Sequence, residues 1–102
     1  NAVDFSGYPD CTPEFLEAFR KVAGTGTRAG VQGSPPVINA PLLYMDKAEI
    51  VRQGARLGLD FGITHTCYDP EKDGSPCGRC DACLLRKKGF EQADIKDPLA
   101  RT

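Results

Sequence analysis

Apolar side chains recur at helical spacing in three stretches of the sequence, and each stretch carries local signals for where a helix begins or ends. In residues 13–23, the apolar positions are Phe15, Leu16, Phe19 and Val22. Thr12 can cap the first turn with its hydroxyl, and Pro13 suits the first helical position. This stretch therefore predicts an amphipathic helix.

The second helix has the clearest start. Asp46 followed by Glu49 forms a capping box, and Gly58 supplies a stop. Its predicted buried stripe consists of Ile50, Val51 and Leu57. A third helix is predicted over residues 79–88, with its end at Gly89.

The segments between these helices predict irregular structure or short strands. Residues 1–11 begin with alternating apolar and polar side chains and continue with turn-forming residues, which indicates the end of a strand followed by a loop. Residues 24–36 are rich in glycine and proline and predict a loop, whereas residues 37–44 favour a brief strand or an extended segment. Residues 90–102 predict a weak helical start and then a break at Asp97-Pro98.

Composition limits the class of protein. The 102 residues are enough for one domain or part of one, and 40% apolar with 26% charged residues is ordinary for a soluble folded chain. The net charge of -1 provides no overall field to attract nucleic acid or an anionic membrane. No apolar run approaches a membrane span and no secretory signal is present. The start at Asn1 rather than methionine leaves a missing or processed N-terminal part open.

Four of the five cysteines fall within residues 67–83. A disulfide-stabilised domain would normally distribute its bridges along the chain, whereas a local group of four is typical of a metal site. The intervals are C-x9-C-x2-C-x2-C, with Cys67 followed by Cys77, Cys80 and Cys83. This clustering favours a bound metal, and therefore a reducing compartment such as the cytosol.

The intervals suit four sulfurs around one zinc ion, which binds tetrahedrally with Zn–S distances of about 2.3 Å. Gly78 permits a tight turn between Cys77 and Cys80. Cys83 lies on the same helical face as Cys80, and Cys67 closes the site from across a polar loop. Four sulfurs leave no position for water, so the predicted role is structural. Disulfides, unligated thiols and an iron–sulfur cluster are the alternatives, although no cysteine follows Cys83 as in a ferredoxin-type run.

Residues near the cysteines have simpler expected roles. Four basic side chains can offset the negative charge of a zinc ion with four thiolates, namely Arg79, Arg86, Lys87 and Lys88. Cys11 is remote in sequence and is expected to be a small buried or free thiol. His65 has no open coordination position to fill.

Three groups of residues together resemble the 7-cyano-7-deazaguanine synthase family, which belongs to the PP-loop ATP pyrophosphatase superfamily and acts in queuosine precursor biosynthesis. The first is VDFSGYPDC at residues 3–11. The second is APL at residues 40–42 with KAEI at residues 47–50. The third begins with CY at residues 67–68 and continues with CGRCDACLLR at residues 77–86. Their order and spacing match the C-terminal half of that family.

The resemblance implies an α/β fold of the adenine-nucleotide-hydrolase type, Rossmann-like and with a PP-loop, whose mainly helical C-terminal part is this chain. Residues 1–66 would complete the nucleotide-hydrolase-like domain with a substrate loop, and residues 67–102 would form a four-cysteine zinc subdomain and tail. The implied reaction converts 7-carboxy-7-deazaguanine and ammonia into the nitrile, using ATP and magnesium. The implied enzyme is cytoplasmic and often homodimeric, and the family's zinc ligands correspond to the four clustered cysteines.

The resemblance also implies roles for three other residues. Lys47 could meet a phosphate or an adenylated carboxylate, Asp4 could accept two N–H bonds from a guanine-like base, and Tyr8 could stack on a heterocycle. The structural alternatives are a solvated lysine at a helix start and a loop packed by its own side chains. The catalytic residues are not assigned.

The superfamily's phosphate loop, Ser-Gly-Gly-x-Asp-Ser, does not occur in the sequence. The GTGT segment at residues 24–27 is not a substitute, because it lacks the preceding strand and following helix that would direct backbone N–H groups at phosphate. The chain alone is therefore expected to be inactive.

Two other classes of function compete with this interpretation. One is a zinc-ribbon module that binds nucleic acid or protein through its basic residues, although the near-zero net charge and the lack of interleaved aromatics argue against nucleic acid. The other is a different PP-loop enzyme that acts on tRNA and uses cysteine redox chemistry, for which Cys11 would be needed.

Overall fold

A computed structural model of the chain describes residues 1–100, and the regular structure in this range is entirely helical. Four α-helices are present, α1 at Pro13–Gly26, α2 at Arg28–Val31, α3 at Lys47–Arg56 and α4 at Asp81–Ala93. Short 3₁₀ helices occur at Ala2–Ser6, Pro9–Cys11 and Phe61–Ile63. No strand is found within this described range, so the short strands expected before residue 45 are corrected.

The chain divides into two compact units. The first unit spans Asn1–Tyr44, and the second begins at Met45. The division predicted from the sequence lies later, after residue 66. The units divide earlier because α3 packs against α4 and so belongs with the part that carries the cysteines.

Helix α1 starts as expected and ends later than expected. The Thr12 hydroxyl accepts a hydrogen bond from the Phe15 backbone N–H at 3.2 Å. The helix continues to Gly26, and Thr27 then donates to the Ala23 carbonyl at 2.6 Å while capping α2. The prediction of a loop from residue 24 was therefore wrong over α2 and the end of α1. One threonine joins the two helices, which offsets the low helix propensity of the glycines.

The remainder of the first unit is made of turns. At the N-terminus, Asn1 Oδ1 accepts from the Val3 N–H at 3.1 Å, and the Asp4 carbonyl accepts from the Tyr8 N–H at 2.9 Å. These local bonds favour the 3₁₀ turns over the expected strand end. Residues 41–44 form a turn preceded by irregular backbone.

Helix α3 confirms the predicted capping box. The Glu49 N–H donates to Asp46 Oδ1 at 2.8 Å, and the Asp46 N–H donates to Glu49 Oε2 at 3.2 Å. Val51 is buried, as is Ala48, which the predicted stripe omitted. Leu57 is 77% exposed because it follows the last helical turn, so its assignment to the buried stripe was wrong.

Helix α4 runs past its predicted end at Gly89 and stops at Asp94, which adopts a left-handed conformation with φ of 56°. Gly89 is buried against α3, and a Cβ atom there would lie 2.6 Å from the Cβ of Lys47. The glycine therefore marks a close approach of two helices and not a helix terminus. Phe90 is buried beside it and packs edge-on against Phe61, with ring centroids 5.0 Å apart.

The weak helical start expected from residue 90 is the last turn of α4, which ends at Asp94, before the break predicted at Asp97-Pro98. Residues 101 and 102 of the predicted tail lie outside the described part of the chain. The longest helix described, α1, has 14 residues, and no described helix combines the length and apolar character needed for a membrane span.

Candidate functional site

The four clustered cysteines converge in the second unit, as their spacing predicted. Their Sγ atoms all lie within 4.8 Å of one another. Cys77 and Cys83 are separated by 4.0 Å between sulfurs, and so are Cys67 and Cys80. Cys80 is half-buried and the other three are buried. The group is therefore compact enough to surround a single ion.

Each cysteine reaches the group from a different local structure. Cys67 follows the 3₁₀ helix Phe61–Ile63 and a short extended segment, and Cys77 ends a polar loop. Cys80 is the N-cap of α4, and Cys83 lies in the first turn of that helix. Gly78 between the second and third cysteines has φ of 74°, so the expected role of glycine in this turn is confirmed.

Backbone N–H groups surround the sulfurs. Cys67 Sγ accepts from the Asp69 and Cys77 N–H groups at 3.4 and 3.3 Å. Cys77 Sγ accepts from the N–H groups two and three residues further along, at 3.4 and 3.3 Å. Cys80 Sγ accepts from the Cys83 N–H at 3.4 Å. Such donors stabilise thiolates, which are the form of cysteine that binds metal.

The surroundings of the sulfurs shift the pKa values of three of the cysteines, two of them downwards and one upwards. The Arg79 backbone N–H is the main cause that lowers the pKa of Cys77. The backbone N–H groups of Tyr68 and Cys83 lower the pKa of Cys80 to about 6, whereas burial raises the pKa of Cys83 to about 12. These contacts therefore favour the thiolate form at Cys77 and Cys80, and a bound cation would favour ionisation of the remaining sulfur donors.

The donor set fits zinc. Four sulfurs at about 2.3 Å from a tetrahedral zinc ion lie about 3.8 Å apart, close to the two 4.0 Å separations observed. All five cysteines are free thiols, so the disulfide alternative does not apply to this structure. In a four-iron cluster each thiolate binds a different iron atom and the sulfurs lie farther apart. The geometry thus suits one ion better than a cluster.

His65 and Cys11 lie outside the group of four. His65 Nε2 is 2.7 Å from the Cys67 carbonyl oxygen, so the imidazole supports the backbone of a ligand and is not itself among the converging donors. Cys11 belongs to the first unit, is half-buried, and its Sγ lies 3.9 Å from Asp10 Oδ1.

Two of the basic residues near the cysteines, Arg79 and Arg86, are paired with carboxylates. Arg79 lies 3.6 Å from the carboxylates of both Asp69 and Glu71 in the exposed ligand loop. Arg86 forms a half-buried ion pair with Asp97, whose two contacts are 2.6 and 2.9 Å. The sequence did not predict this pair, because Asp97 lies in a tail without a periodic pattern. The predicted break at Asp97-Pro98 was the only local signal at this position.

Burial raises the pKa of Asp97, but the hydrogen bonds from Arg86 and from the Leu99 backbone N–H outweigh it, together with the guanidinium charge. The pKa of this carboxyl group is therefore lowered below its usual value. The carboxylate form that pairs with Arg86 is favoured accordingly.

The other residues expected to contact substrate are placed in both units. Asp4 and Tyr8 share one turn of the first unit, where Asp4 Oδ2 accepts from the Asn1 backbone amine at 3.2 Å and Tyr8 is 44% exposed. Lys47 is the first residue of α3 in the second unit, half-buried by its packing against Gly89. The substrate contacts of Asp4, Tyr8 and Lys47 stay predictions.

Comparison with known proteins places these features in one family. The family model "Queuosine biosynthesis protein QueC" matches residues 1–94. A 7-cyano-7-deazaguanine synthase of Myxococcus xanthus is 55% identical over 102 residues, which is 100% of this chain and 44% of that protein. A protein of the same name from Kineococcus radiotolerans is 57% identical over 99 residues, covering 97% of this chain and 43% of the relative. This chain thus spans less than half the length of these relatives.

Proposed function

Because this chain belongs to the QueC family of queuosine biosynthesis proteins, we propose that it is the C-terminal part of a 7-cyano-7-deazaguanine synthase. The observation that carries the proposal is 55% identity along the whole chain to a synthase of that name. The proposed reaction is an ATP-dependent ligation of ammonia to the carboxylate of 7-carboxy-7-deazaguanine, followed by loss of water to give the nitrile.

We propose that the four clustered cysteines hold a structural zinc ion. Sulfur separations near those of a tetrahedral zinc–thiolate site support this assignment, as do the N–H groups directed at three of the sulfurs. Zinc would cross-link α4 to the segment that carries Cys67, so its binding free energy would contribute to folding. The reduced thiols it requires accord with a cytoplasmic enzyme.

The chemistry would take place in the complete enzyme, with an α/β nucleotide-hydrolase-like fold that this helical part completes. ATP with magnesium would activate the carboxylate, and the nucleophile would be ammonia. Lys47 would supply a positive charge to the phosphate or the acyl-adenylate, because its ammonium group has no carboxylate partner among the described residues. Asp4 and Tyr8 would contact the deazapurine through the guanine-like edge and the ring face. A homodimer is part of the same proposal.

A chimera would test the proposal. The Myxococcus xanthus enzyme, with its matching 44% replaced by this chain, should form the nitrile from 7-carboxy-7-deazaguanine, ammonia and ATP. Lys47→Ala in the chimera should reduce kcat/KM by about 100-fold or more, as loss of one transition-state charge contact does. Lys88→Ala is the matched control, because Lys88 is an exposed helical lysine outside the proposed contacts.

A soluble chimera that binds zinc yet forms no nitrile would contradict the enzyme assignment. If the chimera is active and kcat/KM falls equally in the Lys47 and Lys88 variants, only the proposed role of Lys47 is contradicted.

For the metal, inductively coupled plasma mass spectrometry of the purified chain should find one zinc per chain, and iron in its place would overturn the zinc assignment. No contact among the described residues favours a nucleic-acid module, since Arg79 and Arg86 are both paired with carboxylates.

A further inference from the structure

Arg86 forms more hydrogen bonds than any other side chain among the described residues of the second unit. The guanidinium group has five N–H donors, and the structure provides five contacts. Nε and Nη2 bind the two oxygens of Asp97, and Nη2 also reaches the Phe61 carbonyl at 3.2 Å. Nη1 donates to the hydroxyls of Thr64 at 2.8 Å and Thr66 at 3.0 Å. The side chain is only 11% exposed.

These contacts join three separate stretches of chain. Arg86 itself lies on α4, one turn beyond Cys83. Asp97 belongs to the tail that follows α4, and the Phe61, Thr64 and Thr66 acceptors lie on the segment that leads directly into Cys67. The carbon of the guanidinium group also lies 5.2 Å from the centre of the Phe90 ring on the same helix.

Cys67 is the ligand that most needs such support. Cys77, Cys80 and Cys83 are close in sequence, so the start of α4 and the turn before it bring them together locally. Cys67 is separated from Cys77 by nine residues of polar loop, and closing that loop costs conformational entropy. Without an anchor on the N-terminal side of Cys67, the metal itself would have to provide this ordering.

We propose that Arg86 is a positioning residue for the metal centre, which holds the segment before Cys67 against α4 so that the fourth sulfur is in place before the ion binds. Asp97 fixes the orientation of the guanidinium group. The guanidinium group then holds the ligand segment through its hydrogen bonds to the two threonine hydroxyls. The inference rests on the proposed zinc site, and it adds a layer of contacts outside the four sulfurs.

Metal affinity measured on the chain with Co²⁺ and then Zn²⁺ tests this role. Arg86→Ala should keep the absorption spectrum of a tetrahedral Co²⁺ site with four thiolates, because all four ligands remain. Its metal affinity should fall by about 10- to 100-fold, the range seen when contacts outside the ligand shell are removed. Zinc transfer to a chromogenic chelator should become faster by a similar factor. Arg86→Lys should not restore the affinity, since lysine cannot form the planar five-donor network.

Arg52→Ala is the matched control. Arg52 lies on α3, and its Nη2 donates to the Gln92 carbonyl at the end of α4 at 2.8 Å, so it also joins parts of the second unit. It has no contact with the segment before Cys67 among the described residues. Removing it should lower stability without changing the affinity for metal by more than about twofold. The comparison separates positioning of a ligand from general stabilisation.

A second variant keeps the inference testable if Arg86→Ala does not fold. Thr64→Val with Thr66→Val keeps the shape of both side chains, the pair of Arg86 with Asp97 and the contact of Arg86 with the Phe61 carbonyl. It removes the hydroxyls that connect Arg86 to residues 64 and 66, together with the bond of the Thr64 hydroxyl to the Phe61 carbonyl. It should also weaken metal binding by about tenfold. Unchanged affinity in this variant and in Arg86→Ala would overturn the inference. If the unaltered chain binds no metal, the proposed zinc site fails first, and the two failures are thereby distinguished.

Discussion

The two compact units are both helical and yet differ in what surrounds their apolar side chains. In the first unit, Ala23 is the only buried apolar residue among those whose side chains are described. Phe15 and Phe19 stack with centroids 5.9 Å apart but remain 42% and 43% exposed. The second unit contains the other buried apolar residues, which are Ala48, Val51, Cys67, Cys77, Cys83 and Phe90.

The difference shows two ways for a small helical segment to become ordered. The first unit depends on local bonds, such as the caps at Thr12 and Thr27. The second unit adds contacts between residues distant in sequence, through the sulfur group, the Arg86 network and the close approach of α3 and α4. Because small domains bury little apolar surface, a metal ion and a half-buried polar network would contribute a large share of stability there.

Metal removal should produce the largest difference between the two units. Structural zinc binds with apparent free energies of about 10–16 kcal/mol in zinc-finger peptides, and this energy is available only to the unit that holds the ligands. In amide hydrogen exchange, a strong zinc chelator should remove the protection of α4. The amides of α1 are the internal reference, since the first unit contains none of the four ligands. Equal protection of α4 before and after chelation would show that the metal does not stabilise the second unit.

Truncating one phenylalanine in each unit should give the next largest contrast. Phe90→Ala removes a side chain that is 4% exposed and edge-on to Phe61, and should lower the free energy of unfolding by about 3–5 kcal/mol. Phe19→Ala, at 43% exposure, should cost less than about 1 kcal/mol. Urea unfolding followed by circular dichroism measures both. Similar losses at the two positions would contradict the assignment of the core to the second unit.

Replacing one glycine in each unit should give a smaller difference in stability between the two units. Gly89→Ala places a Cβ 2.6 Å from the Lys47 Cβ, and the resulting overpacking should cost about 1–3 kcal/mol in stability. Gly24→Ala in α1 meets no atom within 4 Å and should stabilise its helix by about 0.5–1 kcal/mol. Thermal unfolding should therefore shift in opposite directions. A higher Tm for Gly89→Ala would mean that α3 and α4 can move apart freely.

The smallest expected effect is a pH dependence that belongs to the second unit. The pKa of Asp97 is lower in the folded chain than its usual value, so its contribution is complete above about pH 4 and is lost as pH falls through the folded pKa. The stability difference between the unaltered chain and Asp97→Asn should be constant from about pH 7 to 5 and shrink below about pH 4. The metal content of both chains is measured at each pH, because Asp97 also supports the Arg86 network beside the metal centre. A difference that is unchanged at about pH 3 would contradict the lowered pKa.

Sequence by itself determined the features that depend on neighbouring residues. The capping box of Asp46 with Glu49, the cap at Thr12 and the tight turn at Gly78 all require atoms only a few positions apart, and each is present as predicted. The convergence of the four cysteines was also predictable, because their spacing and chemistry favour one arrangement around a metal ion. The family followed from the same motifs.

Tertiary structure decided the features in which distant residues compete with local preference. Gly89 was predicted to end a helix by its low propensity, but the contact with Lys47 places it inside α4. Leu57 has an apolar side chain and yet faces solvent, because its helix ends before it. Arg86 was interpreted as a charge near the sulfurs, whereas its partners Thr64, Thr66 and Asp97 lie 11 to 22 positions away. Local propensities are worth about 1 kcal/mol or less per residue, so a close helix contact can outweigh them.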